Sequence, residues 1–194
     1  MITLANELPY EIEYGGIKYK LCPAFDNVLR MFDAMDGLDA VDQIDVGLHF
    51  LIGGKYPVDE GLYAACMSLI TPPHRGISDN NGAAFDFAQD APYIYASFRQ
   101  AYNIDLFEQQ GKMHWWTFMT LLTGLPGNTK FCEVVSIRTR PIPPLTKHNS
   151  KERMDLIRLK HAYALETTEE QRKNNLQNGL AKMANCLLSM AQKR

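Results

Sequence analysis

Phe85-Asp86-Phe87, Tyr93-Ile94-Tyr95, Phe98, Tyr102, Phe107 and His114-Trp115-Trp116-Thr117-Phe118 lie within 34 consecutive residues. That stretch holds ten of the chain's twenty Phe, Tyr and Trp side chains, including both tryptophans. Each large ring removes on the order of 150–250 Å² from water when it packs. In a chain of 194 residues such a concentration decides where the core lies. Tyr93, Tyr95, Phe98, Trp115, Trp116 and Phe118 are therefore the candidate core, and part of the set is a candidate partner-binding patch. Trp115 and Trp116 are adjacent, so on a helix they point about 100° apart and at least one must face inward.

Helical periodicity runs through and around this stretch. Ile94, Phe98 and Ala101/Tyr102 form one stripe, and Pro92 must occupy the first turn, which makes Asp90 the expected N-cap. Met113 to Leu122 is apolar nearly all round, which predicts a helix buried on most sides. A turn at Leu125-Pro126-Gly127-Asn128 leads to a short helix carrying Phe131, Val134/Val135 and Arg138. Upstream, Phe25, Val28/Leu29 and Phe32 mark one helix ending near Gly37. Val41, Ile44, Leu48 and Leu51/Ile52 mark a second, and Leu62, Cys66 and Leu69/Ile70 a third, opened by Val58-Asp59-Glu60 and closed by Thr71-Pro72-Pro73. Residues 71–84 read as a long loop.

The N-terminal region has period 2 instead. Tyr10, Ile12 and Tyr14 alternate with Glu11 and Glu13; Ile17, Tyr19 and Leu21 alternate with Lys18 and Lys20; Gly15-Gly16 separates the two runs. Two glycines that both accept positive φ predict a tight hairpin, with Tyr14 facing Ile17 and Ile12 facing Tyr19. Two strands alone are marginal, so their apolar face requires a helical cover. The fold class is mainly α, a multi-helix domain with an N-terminal β-hairpin packed on it.

Pro141, Pro143 and Pro144 mark residues 141–149 as a linker between a domain at 1–140 and a C-terminal helical pair at 150–194. The first helix of the pair starts at Ser150, with Met154, Ile157 and His161 inward. The second opens at Thr167 and Glu170 and carries Leu176, Leu180, Met183, Leu187 and Met190 in a stripe suited to self-association.

Charge is unevenly placed. Residues 1–110 hold 6 Lys/Arg against 16 Asp/Glu, and residues 111–194 hold 14 against 6. Docking of the two halves, head-to-tail contact between copies, or an acidic partner for the basic half would each use this asymmetry. Arg138, Arg140, Lys151 and Arg153 belong to a basic surface, but interspersed acids and the lack of any helix-turn-helix or zinc-finger pattern weigh against nucleic acid.

The survey for chemistry is unproductive. The five histidines show no H-x-x-x-H, the four cysteines no C-x-x-C, and Gly53-Gly54-Lys55 lacks phosphate-loop spacing. Asp33, Asp36, Asp39, Asp42 and Asp45 lack the alternation of a calcium loop and read as caps and a solvated face. A Cys–His pair assembled across the fold stays open. No cofactor or metal is expected. Four reduced thiols, no apolar run near the ~20 residues of a membrane span, and no signal-like N-terminus point to the cytoplasm.

Tyr93-Ile94-Tyr95-Ala96-Ser97-Phe98, Tyr102-Asn103-Ile104-Asp105-Leu106, Lys112-Met113-His114-Trp115-Trp116, Leu121-Leu122-Thr123-Gly124-Leu125-Pro126 and Ile137-Arg138 follow in this order at compact spacing. Together they resemble the bacteriophage protein family named after gene product fifteen, of long-tailed phages and prophages of Gram-positive bacteria. The resemblance spans Leu4 to Leu165. It implies a gene placed just ahead of the tape-measure gene and a non-catalytic tail assembly chaperone acting in the host cytoplasm. The expected partners are the tape-measure protein, further copies of the chain and the tail tube protein. A structural tail or neck protein is the first rival, and a nucleic-acid-binding helical protein the second.

Overall fold

The backbone between Lys20 and Phe25 laces three parts of the chain together in the computed structural model, which describes residues 4–72 and 84–166. Cys22 N–H donates to Leu51 O (2.9 Å), Gly53 N–H to Lys20 O (3.2 Å), Phe25 N–H to Met113 O (2.9 Å) and Trp115 N–H to Pro23 O (2.6 Å). The Asn27 amide adds bonds to Cys22 O (2.9 Å) and Phe50 O (2.7 Å). Buried peptide groups must be paired, and here irregular segments pair one another where no sheet is available.

The hairpin has the expected register. Strands β1 (Glu11–Tyr14) and β2 (Ile17–Lys20) are antiparallel, with Ile12 opposite Tyr19 and Tyr14 opposite Ile17. Gly15 and Gly16 take φ of 58° and 77°, the left-handed pair that a two-residue turn requires. Tyr19 is buried, and Ile17 at the turn is exposed. The Tyr14 hydroxyl donates to Asp59 (2.8 Å), tying the hairpin to the start of α3.

Helices α1 (Phe25–Met35), α2 (Ala40–Leu51) and α3 (Glu60–Ile70) follow. Phe25, Val28 and Met31 form the buried stripe of α1. Phe32, expected in that stripe, is 37% exposed and lies on the flank, edge-on to Trp115 at 5.9 Å. In α2, Val41 is exposed, Ile44 is half-buried against the core and Leu48 and Leu51 are buried, so this helix goes deeper into the core toward its C-terminal end. Asp39 caps it by accepting from Val41 N–H and Asp42 N–H, as the cap reading of the aspartates expected. Asp59 caps α3 through Leu62 N–H (2.7 Å); that bond and the Tyr14 hydroxyl hold its carboxyl below the usual range. A Cβ on Gly47 would run into the Tyr63 ring, so glycine lets α2 and α3 approach closely.

Helices α4 (Ala91–Tyr102), α5 (Trp115–Thr123) and α6 (Lys130–Thr139) complete the first of two compact units, Met1–Thr139. Pro92 lies in the first turn of α4 after Asp90, and Asn103 ends the helix in the left-handed conformation. Helix α5 starts at Trp115, two residues after the Met113 start that apolarity suggested, because His114 is extended backbone bridged to Ala24 and Met113 O accepts from Phe25 N–H. Ser97, buried on α4, accepts from Phe131 N–H (3.0 Å) and so satisfies the start of α6.

The second unit is Arg140–Arg194. Residues 141–146 form neither helix nor strand, and α7 (Ser150–Ala162) follows. Its inward line differs from expectation: Leu156 is buried, whereas Met154 and His161 are exposed. Arg153, Leu156, Ile157 and Lys160 are the covered positions, at i, i+3, i+4 and i+7. Long cationic side chains bury their stems while keeping their charge wet, which a purely apolar count overlooks. The stripe from Leu176 to Met190 and most of the 71–84 loop lie outside the described residues.

Trp115 is 3% exposed, and Trp116 is half-buried. Trp115→Ala should cost about 3–5 kcal/mol of unfolding free energy and Trp116→Ala distinctly less. Urea denaturation of the two variants checks the order; equal losses would contradict this placement.

Candidate functional site

Phe118 on α5 lies among four rings. Phe25 of α1 stacks on it at 4.9 Å, Phe98 of α4 at 5.4 Å and Trp115 at 5.5 Å, and tilted Phe87 approaches to 6.2 Å. Beside this stack, between α1, α4 and the segment at 105–111, opens a cleft of about 270 Å³. Phe25, Leu29, Phe87, Ile94, Leu106 and Phe118 form its apolar lining, and Tyr95 and Phe107 its mouth, their rings 5.2 Å apart. Phe107 is 70% exposed.

Asp105 fixes that mouth. One carboxylate oxygen accepts from the Tyr95 hydroxyl (3.0 Å) and the other from Phe107 N–H (3.0 Å). The bond to the carboxylate raises the Tyr95 phenol above its ordinary 10.0. On the opposite rim Asp26 pairs with Arg30 (2.5 Å) and accepts from Gly111 N–H (2.8 Å). Asp26, Arg30 and Asp105 are thus engaged in shaping the cleft, and most of its lining is apolar.

The predicted aromatic residues divide among these roles. Phe98, Trp115 and Phe118 are the core stack, Tyr95 lines the cleft, and Tyr93 and Trp116 are half-buried and not part of its lining. The indole N–H groups of Trp115 and Trp116 are buried without a hydrogen-bond partner among the described residues. The four basic residues are not one surface. Arg138 makes a bidentate pair with Asp90 at 2.6 and 2.8 Å, the side chains 12% and 1% exposed. It also reaches Ala84 O (3.4 Å), and Asp90 accepts from Asp86 N–H (3.0 Å). Arg138 is therefore corrected from surface charge to a buried tie between α6 and the start of α4. Removing one partner of such a pair costs about 3–5 kcal/mol because the other charge is stranded. The signal was available: Arg138 continues the inward spacing of Phe131 and Val134. Arg140 and Lys151 are exposed, and Arg153 donates to Pro143 O (3.2 Å).

His114 was read only as part of a motif. It is 2% exposed; its Nδ1 accepts from Trp116 N–H (3.0 Å), capping α5, and its Nε2 meets Pro9 O at 3.1 Å. Both contacts are satisfied by the neutral ring with its proton on Nε2. Burial lowers its pKa from 6.5, opposed by the Pro9 bond. Cys66, fully buried on α3, has its thiol pushed up to about 11, so it is an unreactive core side chain.

A match to the family described as Bacteriophage Gp15 protein covers residues 4–165, the greater part of the chain, and the protein belongs to that family. Membership makes it a bacteriophage protein of a structural or assembly-related kind. Comparison with curated proteins and with solved structures found no match. Among the described residues no helix is long and apolar enough to cross a membrane.

Because the folded state holds His114 below its unfolded value of 6.5, the unfolded chain binds more protons as pH falls through that value. His114's contribution to stability should be complete above pH 6.5 and lost on acidification toward the folded pKa. Urea midpoints measured from pH 8 to 5 check this. His114→Asn, which retains a capping oxygen, should remove this part of the pH dependence.

Proposed function

We propose that the protein is a tail assembly chaperone that binds the tape-measure protein in the cytoplasm of the bacterial host. The observation that carries this reading is the family match over residues 4–165, which spans the hairpin, the aromatic core and α7. The cleft supports it in kind. Its walls are aromatic and aliphatic, and Asp26, Arg30 and Asp105 are held in contacts that fix its shape. Such a site buries apolar groups and has no poised nucleophile or base among the groups described above. The action is stoichiometric: many copies cover the apolar stripe of a long helical client until tail tube subunits replace them. The part-buried pairing of Arg138 with Asp90 reduces the basic face that a nucleic-acid reading needs.

Two measurements test the proposal. Co-expression should keep the tape-measure protein in the supernatant at several chaperone copies per client, and mass spectrometry of purified virions should find the client without the chaperone. Retention in the virion at fixed copy number would replace the chaperone with a structural tail or neck component.

A further inference from the structure

We propose that the aromatic cleft of one copy receives the Pro-rich strap, residues 140–147, of a second copy of this chain. The inference does not rest on the chaperone reading; it rests on what the strap and the cleft each leave unfilled.

The strap reads Arg140-Pro141-Ile142-Pro143-Pro144-Leu145-Thr146-Lys147. Its three prolines hold φ near −65° and favour the extended polyproline conformation. Residues 141–148 are all exposed, with Ile142 at 43% and Leu145 at 68%. The strap is nonetheless anchored from behind. The Asn149 amide donates to Pro144 O (2.9 Å) and its oxygen accepts from Thr146 N–H (2.8 Å), while Arg153 donates to Pro143 O (3.2 Å). Two aliphatic side chains are thereby displayed on a backbone whose shape is set beforehand, which lowers the ordering cost of binding.

The cleft has matching properties. Polyproline segments dock in grooves lined by aromatic rings, and this groove is walled by Phe25, Phe87, Tyr95, Phe107 and Phe118. Its volume of about 270 Å³ is large enough to take projecting aliphatic side chains. Charge favours the same pairing. Residues 1–139 carry 9 Lys/Arg against 17 Asp/Glu, and residues 140–194 carry 11 against 5. Beside the mouth, Glu108 is exposed and forms no ion pair among the described residues, and Arg140 and Lys147 flank the strap's apolar pair. Every copy owns one cleft and one strap, so the contact is heterologous and repeats from copy to copy without needing to close.

Phe107→Glu spoils the cleft and Leu145→Asp the strap, both at exposed positions where folding is retained, as circular dichroism would verify. In sedimentation velocity the wild-type full chain should grow with concentration while each variant stays monomeric. An equimolar mixture of the two variants should give a 1:1 dimer and nothing larger, because one intact cleft meets one intact strap. A labelled peptide of residues 139–149 should bind the Leu145→Asp protein at least about tenfold more tightly than the Phe107→Glu protein. Association that persists in both variants, or a mixture that stays monomeric, overturns the proposal. A monomeric wild type whose cleft accepts the peptide only after Leu145→Asp overturns it in favour of the chain's own strap. Loss of tape-measure binding in Phe107→Glu with self-association intact overturns it in favour of the client.

Discussion

The stacked rings around Phe118 hold together elements that are far apart in sequence. Phe25 comes from the first helix, Phe87 from the approach to α4, Phe98 from α4 itself, and Trp115 from the same helix as Phe118. Ring pairs of this kind contribute about 0.5–1.5 kcal/mol each beyond the area they bury. Four such contacts meet at one side chain that is 1% exposed, so neither α1 nor α4 can shift without disturbing α5. The cleft is the solvent-facing side of this arrangement, and its depth follows from the rigid planes behind it.

Polar contacts complete the arrangement where rings cannot. The Asp90–Arg138 pair fastens the C-terminal end of α6 to the start of α4. The His114 ring links the capped start of α5 to Pro9, ahead of the hairpin. Asn27 and the backbone of residues 20–25 join the α2 end to the α5 start. Each of these satisfies buried groups that would otherwise be costly, so they specify which packing is adopted as well as stabilising it.

Much of this was legible in the sequence, for identifiable reasons. A period of 2 broken by Gly15-Gly16 allows one hairpin register, because a slip of one residue would turn Tyr19 outward. Apolar periodicity marks α2 and α3, and their caps fall where acidic residues read as helix openings: Asp39 in the run read as caps and a solvated face, and Asp59 in Val58-Asp59-Glu60. What stayed hidden depends on contacts at long range. Arg138 looked like surface charge because its partner lies 48 residues away, and Asp90 looked like a cap because its position at the helix start is one. The cleft could not be read at all: it rests on tertiary contacts, with Asp105 bonded to the Tyr95 hydroxyl and to Phe107 N–H and the two rings side by side. On α7, the apolar count misplaced the inward line because Arg153 and Lys160 are partly covered. The functional reading came from resemblance, since what the described residues of the cleft carry is shape and apolar surface.

A scaffold locked by rings and presenting an apolar cleft among the described residues offers fixed shape and apolar surface, which accords with a protein of a structural or assembly-related kind. The claim beneath it is that the Phe118 stack couples the three helices. Native-state hydrogen exchange on Phe118→Leu, which retains an apolar side chain but removes the ring, tests this most directly. Amides of α1, α4 and α5 should lose protection together. Loss confined to α5, with α1 and α4 protected as in the parent, would contradict the account.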